Sequence, residues 1–339
     1  MTQIAMDVHK RRSTVAYATP ALAEPKVARC LSTPEGFASV LQKLPRPWII
    51  AVECSRQSSA VTRWLGELGA DEVHLVDARA LHQFTEDKPK SDARDAKEML
   101  HLLHLGRLPE CYLASEHERQ LRALTRTRSL VAKFNTAVRN SIRTLLNQWG
   151  LGVCYTDLTG AGAQEQLAAL AERLGPLVQI ALQQLVVLLA MIQQCLSVLN
   201  AAIADQVAQE PLAQALDELP GIGPILALGL VAEIGRIQRF ADPAHLISYA
   251  GLAPRANDSD SFHGPRKLPK RCNKRLRHLA VQAAQGARNS KHDSKAHRTY
   301  VRVAQRRPNH VAKLSAARTV LQEVFWRWRQ ATAPATAAA

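Results

Sequence analysis

The chain has 339 residues with 44 Lys+Arg against 29 Asp+Glu, a formal charge of +15 and a pI near 9.9. With 47% apolar and 22% charged residues it can bury a sizeable core, so wholesale disorder is excluded and the length suits two or three domains. The six cysteines stand alone, with no C-x-x-C pair and no spacing for a zinc site or disulfide framework, which fits a reducing, cytoplasmic setting. Asp7 falls where a signal peptide needs apolar residues and no run of 18 apolar residues occurs, so no membrane partner is expected. An excess of positive charge then points first to nucleic acid.

The first hundred residues alternate between β-type runs and helical stretches. Strands are predicted at Gln3–Asp7, Ser13–Thr19, Val27–Ser32, Trp48–Cys54 and Glu72–Asp77, with helices near Pro34–Leu44 and Ser58–Leu68. A three-strand meander followed by strands reached through helices is the order of the ribonuclease-H-like fold, an α/β class. A further helix is predicted from Ser91 or Asp92 to Gly106.

From Ser115 to about Gln148 there is neither Gly nor Pro, so one long helix is predicted. Leu124, Val131, Val138 and Leu145 recur every seven residues, with Leu121 and Ile142 at intermediate positions, an incomplete coiled-coil seam, while Arg119, Arg122, Arg126 and Lys133 share another face, either a solvated surface or a nucleic-acid contact. A second apolar helix should run from about Gln164 to Gln209, broken near Gly175-Pro176, so that the two form an antiparallel dimerisation arm. LPGIGPILALGLVAEIG (Leu219–Gly235) reads as a helix-hairpin-helix-like turn, whose free amides can hold phosphate or can serve packing alone. A loop, then helices at Asn273–Arg288 and Pro308–Trp328, precede a low-complexity tail expected to be disordered.

Four carboxylates stand out. Asp7 ends the first predicted strand, Glu53 ends the fourth, and Asp92 and Asp95 lie three apart on one face of a helix start. Each has an ordinary reading as a cap, dipole partner or strand-end charge. If the first and fourth strands are neighbours, however, the carboxylates converge, and their mutual repulsion is relieved by a hard divalent cation such as Mg²⁺. Two ions about 4 Å apart can clamp the attacking and leaving oxygens of a phosphodiester.

The segments MDVHK, AVECS and KSDARDAK, then LPGIGPILALGLVAEIG, YAGLAPR and KRCNKRLRHLAVQAA, resemble the DEDD-type transposases of the IS110 insertion-sequence family, described as bridge-RNA-guided recombinases. The resemblance runs from Ile4 to about Trp328. It implies a RuvC-like domain over 1–112, a helical coiled-coil dimerisation arm over 113–212, a mainly helical C-terminal transposase domain with a catalytic serine over 213–330, and a tail over 331–339. It also implies that Asp7, Glu53, Asp92 and Asp95 form an acidic tetrad holding Mg²⁺, two ions in all. The flanking Pro254-Arg255 and Lys270-Arg271-Cys272-Asn273 pairs place the serine at Ser259, with Ser261 as near neighbour. Here Ser-Asp-Ser-Phe-His-Gly stands where the family has small glycines, and Cys272 replaces a common glycine.

The resemblance implies strand cleavage and exchange of DNA, both element ends and target, through a phosphoserine intermediate. It implies a structured guide RNA and a dimer or tetramer in which the serine domain of one subunit meets the acidic domain of another. His9, Lys10, Arg255 and His263 are secondary candidates for phosphate contact or proton transfer. A second reading uses the acidic site for water-driven nuclease or junction-resolving chemistry, and a third is a non-catalytic nucleic-acid binder.

The charge itself is local. Residues 254–330 hold 19 Lys+Arg and 4 Asp+Glu, so the remainder of the chain is electrically balanced. Lys10, Arg255, Arg266, Lys267, Lys270, Arg271, Lys274, Arg275 and Arg277 are the candidate nucleic-acid contacts.

Overall fold

A computed structural model of the chain describes residues 1–21, 24–83, 91–254, 258–259, 262–263, 267–290 and 293–332. They fall into two compact units, Met1–Ala114 and Ser115–Ala339.

The first unit is built on a five-stranded mixed sheet of β1 (Thr2–Val8), β2 (Arg12–Ala18), β3 (Lys26–Leu31), β4 (Trp48–Glu53) and β5 (Glu72–Val76), in the spatial order β3-β2-β1-β4-β5. The first three strands form the expected antiparallel meander. β4 then joins β1 in parallel, and β5 joins β4 in parallel. β1 and β4 are covered on both faces, which is why Ile4–Met6 and Trp48–Val52 run apolar without alternation.

Alternation along the strands divides the side chains between two layers. Ile4, Met6, Val8, Ile50 and Val52 pack under α1 (Pro34–Leu41) and α2 (Ser58–Glu67), with Phe37, Leu41, Val61 and Leu65 as the helices' contribution. The opposite face carries small residues, Ala5, Ala16 and Ala51. On them lies α4 (Asp92–His104) through Ala96, Met99, Leu100 and Leu103. A short helix not anticipated from the sequence, α3 (Ala78–His82), follows β5 because the Asp77 carboxylate accepts from the amides of Arg79 and Ala80. Asp77 thus caps a helix and does not extend the strand.

Among its described residues the second unit is helical apart from one short antiparallel strand pair. α5 (Glu116–Gln148) begins at a capping box, with Ser115 Oγ accepting from the Glu118 amide and the Glu118 carboxylate accepting from the Ser115 amide. The apolar stretch after it divides into α6 (Ala161–Ala171) and α7 (Pro176–Gln209), with Pro176 opening the second helix where its missing N–H costs nothing. α5 and α7 pack along each other.

In their outer part, Val138, Ile142 and Leu146 pack on Leu182, Leu189, Ile192 and Leu196. The buried row on α5 steps by four, 138-142-146, and the heptad positions Val131 and Leu145 are only partly buried. The contact thus follows the 3.6-residue period of a globular helix. At the inner end Leu121, Ile203 and Val207 join a large core with the C-terminal helices α8 (Pro211–Asp217), α9 (Pro224–Ile234), α10 (Pro243–Tyr249), α11 (Lys274–Asn289), α12 (Lys295–Ala304) and α13 (Asn309–Thr332). The expected tail starts two residues inside α13, and 333–339 lie outside the described residues.

The Gly221 turn between α8 and α9 has a packing role. Its φ is +85°, and a Cβ there would meet the Ala287 amide nitrogen at 2.1 Å and the Ala283 carbonyl at 2.5 Å, so only glycine lets α11 approach so closely.

α7 is, by length and composition, apolar enough to cross a membrane. Its glutamines at 183, 184, 193 and 194 interrupt the apolar run without adding charge. Leu177, Ile180, Val187, Leu188, Met191 and Val198, at successive spacings of 3, 7, 1, 3 and 7, form an exposed stripe along it.

Candidate functional site

The acidic residues of the first unit meet at the carboxyl ends of β1 and β4. Met6 pairs with Val52 in parallel register, so Asp7 and Glu53, one step further on each strand, stand side by side. Asp7 has the face of Ala5, and Glu53 that of Ala51, which is the face α4 covers. Alanines at these positions let the helix lie close, and its first turn brings Asp92 and Asp95 to the same edge. Ser91 is the N-cap residue, so neither aspartate is used as a cap.

His9 links the set. Its Nε2 lies 3.3 Å from Asp7 Oδ2 and 3.5 Å from Asp92 Oδ1. Asp7 is buried, whereas the Asp92 and His9 side chains are about half exposed. Burial pushes the Asp7 carboxyl up, with His9 opposing and Asp92 adding to the rise. Glu53 is pushed up to about 7 by burial first and by the neighbouring Asp7 and Asp95 charges. Among the described residues no Lys or Arg is paired with Asp7, Glu53 or Asp92. Ligand atoms of Asp7, His9 and Asp92 lie within 4.8 Å of one another. Such a crowded carboxylate set, strained towards protonation and short of positive charge, fits a hard divalent cation.

His9, read from the sequence only as a secondary candidate, therefore occupies the middle of the site, and Lys10 is exposed at the adjoining turn. The sequence also gave no sign that Cys54 and Cys111 are neighbours. A hydrogen bond with Cys111, helped by one with Ser58 and opposed by burial, brings the Cys54 thiol down to about 6.

In the second unit, Ser259 lies in β6 (Asp258–Ser259), which pairs antiparallel with β7 (Phe262–His263), Ser259 opposite Phe262. Ser261, Arg255 and Arg266 lie outside the described residues. Lys267, Lys270, Arg271, Lys274 and Arg275 are exposed. Arg277 is half-buried and donates to the Ala250 carbonyl at 3.2 Å, the Pro269 carbonyl at 2.7 Å and Cys272 Sγ at 2.9 Å, ties that hold the loop against α11.

Three arginines of the basic stripe on α5 are likewise engaged within the unit. Arg119 donates to Glu116, Arg122 to the Ala232 carbonyl, and Arg126 to both oxygens of Glu233 at 2.8 and 3.0 Å. Glu233, buried in an apolar helix, is the anchor that pattern reading missed. Its signal was a lone acid inside LALGLVAEIG. Burial alone would raise its pKa, but hydrogen bonds from Arg126 and from Asn273 at 3.0 Å outweigh that and hold it below the usual range.

Comparison with known proteins covers both units. A transposase family model of the DEDD, IS110 type matches residues 4–150, and a second, described as the IS116/IS110/IS902 transposase family, matches residues 213–302. The chain is 40% identical over 75 residues to the 44.8 kDa protein of insertion element IS116 from Streptomyces clavuligerus, covering 22% of this chain and 19% of that one. It is 25% identical over 288 residues to a probable family 20 transposase of Pseudomonas aeruginosa, covering 81% and 82%. To the transposase of insertion sequence element IS1328 from Yersinia enterocolitica it is 23% identical over 240 residues, 70% of each chain.

Proposed function

This chain belongs to the IS116/IS110/IS902 family of DEDD-type transposases, and from that premise we propose that it is a Mg²⁺-dependent DNA recombinase of an insertion sequence. The observation that supports this most directly is the convergence of Asp7, His9, Glu53 and Asp92 at one sheet edge, with the Glu53 carboxyl pushed up to about 7 by burial and by the Asp7 and Asp95 charges. Strand order β3-β2-β1-β4-β5, with acids at the ends of the central parallel pair, agrees with a ribonuclease-H-like, RuvC-like reading of the first unit.

In this reading Asp7, Glu53, Asp92 and Asp95 hold two Mg²⁺ ions, which supply charge stabilisation to the oxygens of a DNA phosphodiester when bound. Asp92, half exposed, is the ligand that solvent and DNA reach, and buried Asp7 fixes the position of the set. His9, bridging the two, orients both carboxylates and can carry a proton at Nε2.

The Ser259 hydroxyl attacks DNA phosphorus. The Ser259 Oγ–P bond forms, the P–O bond to one deoxyribose breaks, the departing oxygen leaves as a hydroxyl with a proton, and the phosphodiester energy is retained in the phosphoserine. Return attack by another strand's hydroxyl completes exchange without ATP. A structured guide RNA selects the target by base pairing, which is why no base-reading element need be encoded in the chain. The exposed apolar stripe on α7 supports a homo-oligomer, dimer or tetramer, formed through the arm.

Incubation of the full chain with Mg²⁺, guide RNA and labelled target DNA tests this reading. An SDS-stable protein–DNA adduct, lost in Ser259→Ala and in Asp7→Asn but retained in Ser261→Ala, is the expected result. Cleavage that persists in Ser259→Ala without adduct replaces it with water-driven nuclease chemistry, and absence of cleavage in every form leaves a binding protein.

A further inference from the structure

A cavity of about 430 Å³ opens where α5, α9 and α11 meet in the second unit. Arg126, Arg128 and Lys133 reach it from α5, and Lys274, Arg275 and His278 from α11. Its one carboxylate, Glu233, is fully engaged by Arg126 and Asn273, so it neutralises none of the other cations. Among the described residues no ion pair is made by Arg128, Lys133, Lys274 or Arg275. Arg128 donates through Nε to the Asn200 side-chain carbonyl at 3.1 Å, which fixes the guanidinium without compensating it, and burial lowers its pKa. The His278 imidazole is pushed down by burial and by the Lys133 charge, as a site of positive potential requires.

Four uncompensated cations around one concavity repel each other, and their cost is removed by an anion bearing several acceptor oxygens. Lys274 and Arg275 of the lining follow the exposed Lys267 and Lys270 along the chain, and four cations around one cleft are more than one small anion would need. A repeating polyanion matches that extent. We propose that this cleft is a phosphate site for the backbone of a bound nucleic acid, with Arg128 and Lys133 of the arm acting together with Lys274 and Arg275 of α11. The inference rests on the nucleic-acid reading above and deepens it by giving the arm helix a direct part in holding the polymer. It makes α5 a nucleic-acid-binding element as well as a packing one, and contact with the backbone leaves sequence selection to other parts of the complex.

The test uses the full chain in EDTA, with a labelled DNA duplex, a labelled structured RNA, inorganic phosphate and polyglutamate as separate probes. Lys133→Gln combined with Arg275→Gln removes two exposed charges from the cleft, and Lys26→Gln combined with Lys43→Gln removes two exposed charges from the first unit as a control. Loss of two phosphate contacts lowers affinity about tenfold or more at ~0.1 M salt and flattens the slope of log K against log salt by roughly 2, for whichever polymer occupies the cleft. The control variant leaves both quantities unchanged. Lys133→Arg with Arg275→Lys keeps the charges and restores binding, which separates charge loss from misfolding. If the cleft variant binds both polymers as the wild type does, the proposal fails and the nucleic-acid reading stands. If the wild type binds neither polymer, both fail. If only phosphate or polyglutamate binding is lost, the cleft serves a small anion or an acidic peptide and the proposal is overturned. The DNA and RNA arms identify which polymer is held.

Discussion

Asp7 and Glu53 stand side by side at the carboxyl ends of the parallel strands β1 and β4; burial raises the pKa of both, and the Asp7 charge raises Glu53 further while the hydrogen bond with Glu53 lowers Asp7 in part. In the unfolded chain their carboxyls titrate near 4, where nothing opposes ionisation. Because the folded-state values lie above the unfolded ones, this contribution to stability is complete below about 4.5 and is lost as pH rises through about 7. Divalent metal removes the repulsion, so metal and protons compete. Melting with EDTA and with Mg²⁺ at a series of pH values should show a Mg²⁺ increment that grows between pH 5 and pH 8 and then levels, and titration calorimetry near pH 6.5 in two buffers should show proton release on binding. In Glu53→Gln the metal-free protein should lose much of its pH dependence. A Mg²⁺ increment that does not change with pH would count against the assignment.

The small residues beneath α4 give a second test. Ala51 is fully buried between β4 and α4, on the face that also presents Glu53. Ala51→Leu overpacks that layer, costs about 1–3 kcal/mol, and displaces the helix turn bearing Asp92 and Asp95. Ile50→Val, on the opposite face of the same strand, costs about 1 kcal/mol. Mg²⁺ affinity should fall at least tenfold in Ala51→Leu and stay within twofold in Ile50→Val. Equal losses in the two variants would show that global stability, and not the seat of α4, governs the site.

How much of this was readable beforehand depended on whether the controlling contact was local. The five strands were readable because hydrophobic runs end at turn residues, and α4 because Ser91 and its two aspartates mark a helix start. The position of His9 was not, since a histidine two residues past a strand-end aspartate points anywhere until α4 is placed above it. The seam of α5 was legible only in part: Leu121, Val138 and Ile142 are buried, whereas Val131 and Leu145 are not fully so. A heptad count rewards any apolar residue at intervals of seven, but whether Leu145 or Leu146 faces α7 is decided by the partner helix, and Leu146 is the one fully buried. The partners of the basic stripe were not readable, because Glu233 and the Ala232 carbonyl, more than a hundred residues away, take up Arg126 and Arg122.

That long-range tie makes a third prediction. Arg126→Met leaves the Glu233 carboxylate buried with Asn273 as its remaining close partner. The Arg126 side chain is itself 41% exposed, so water relieves part of the loss, and the destabilisation should be about 2 kcal/mol, below the range for wholly buried pairs. Scanning calorimetry should place the melting point of the second unit roughly 5 °C lower. Glu233 is held below its ordinary pKa, so its stabilising effect is present above about 4.5 and is lost as pH falls through the folded value. The gap between wild type and Arg126→Met should accordingly narrow on acidification towards pH 3. A constant gap would place the Arg126 contribution in packing of its aliphatic stem.

The exposed stripe on α7 makes the last. Val187 and Met191 lie one turn apart on it and are 53% and 60% exposed, while Leu182 and Leu189 on the other side of the helix are buried against α5. Apolar surface of this extent stays in water only at a cost, and burying two such side chains against a second copy contributes about 3 kcal/mol per copy. Val187→Glu combined with Met191→Glu puts like charges at the centre of any symmetric contact between copies and leaves the fold of the unit intact. Light scattering on the eluting protein should report an oligomer for the wild type and a monomer for the double variant, with unchanged circular dichroism. An unchanged mass would move the association to another surface, and a wild type that is itself monomeric at micromolar concentration would remove the arm from assembly in the absence of nucleic acid.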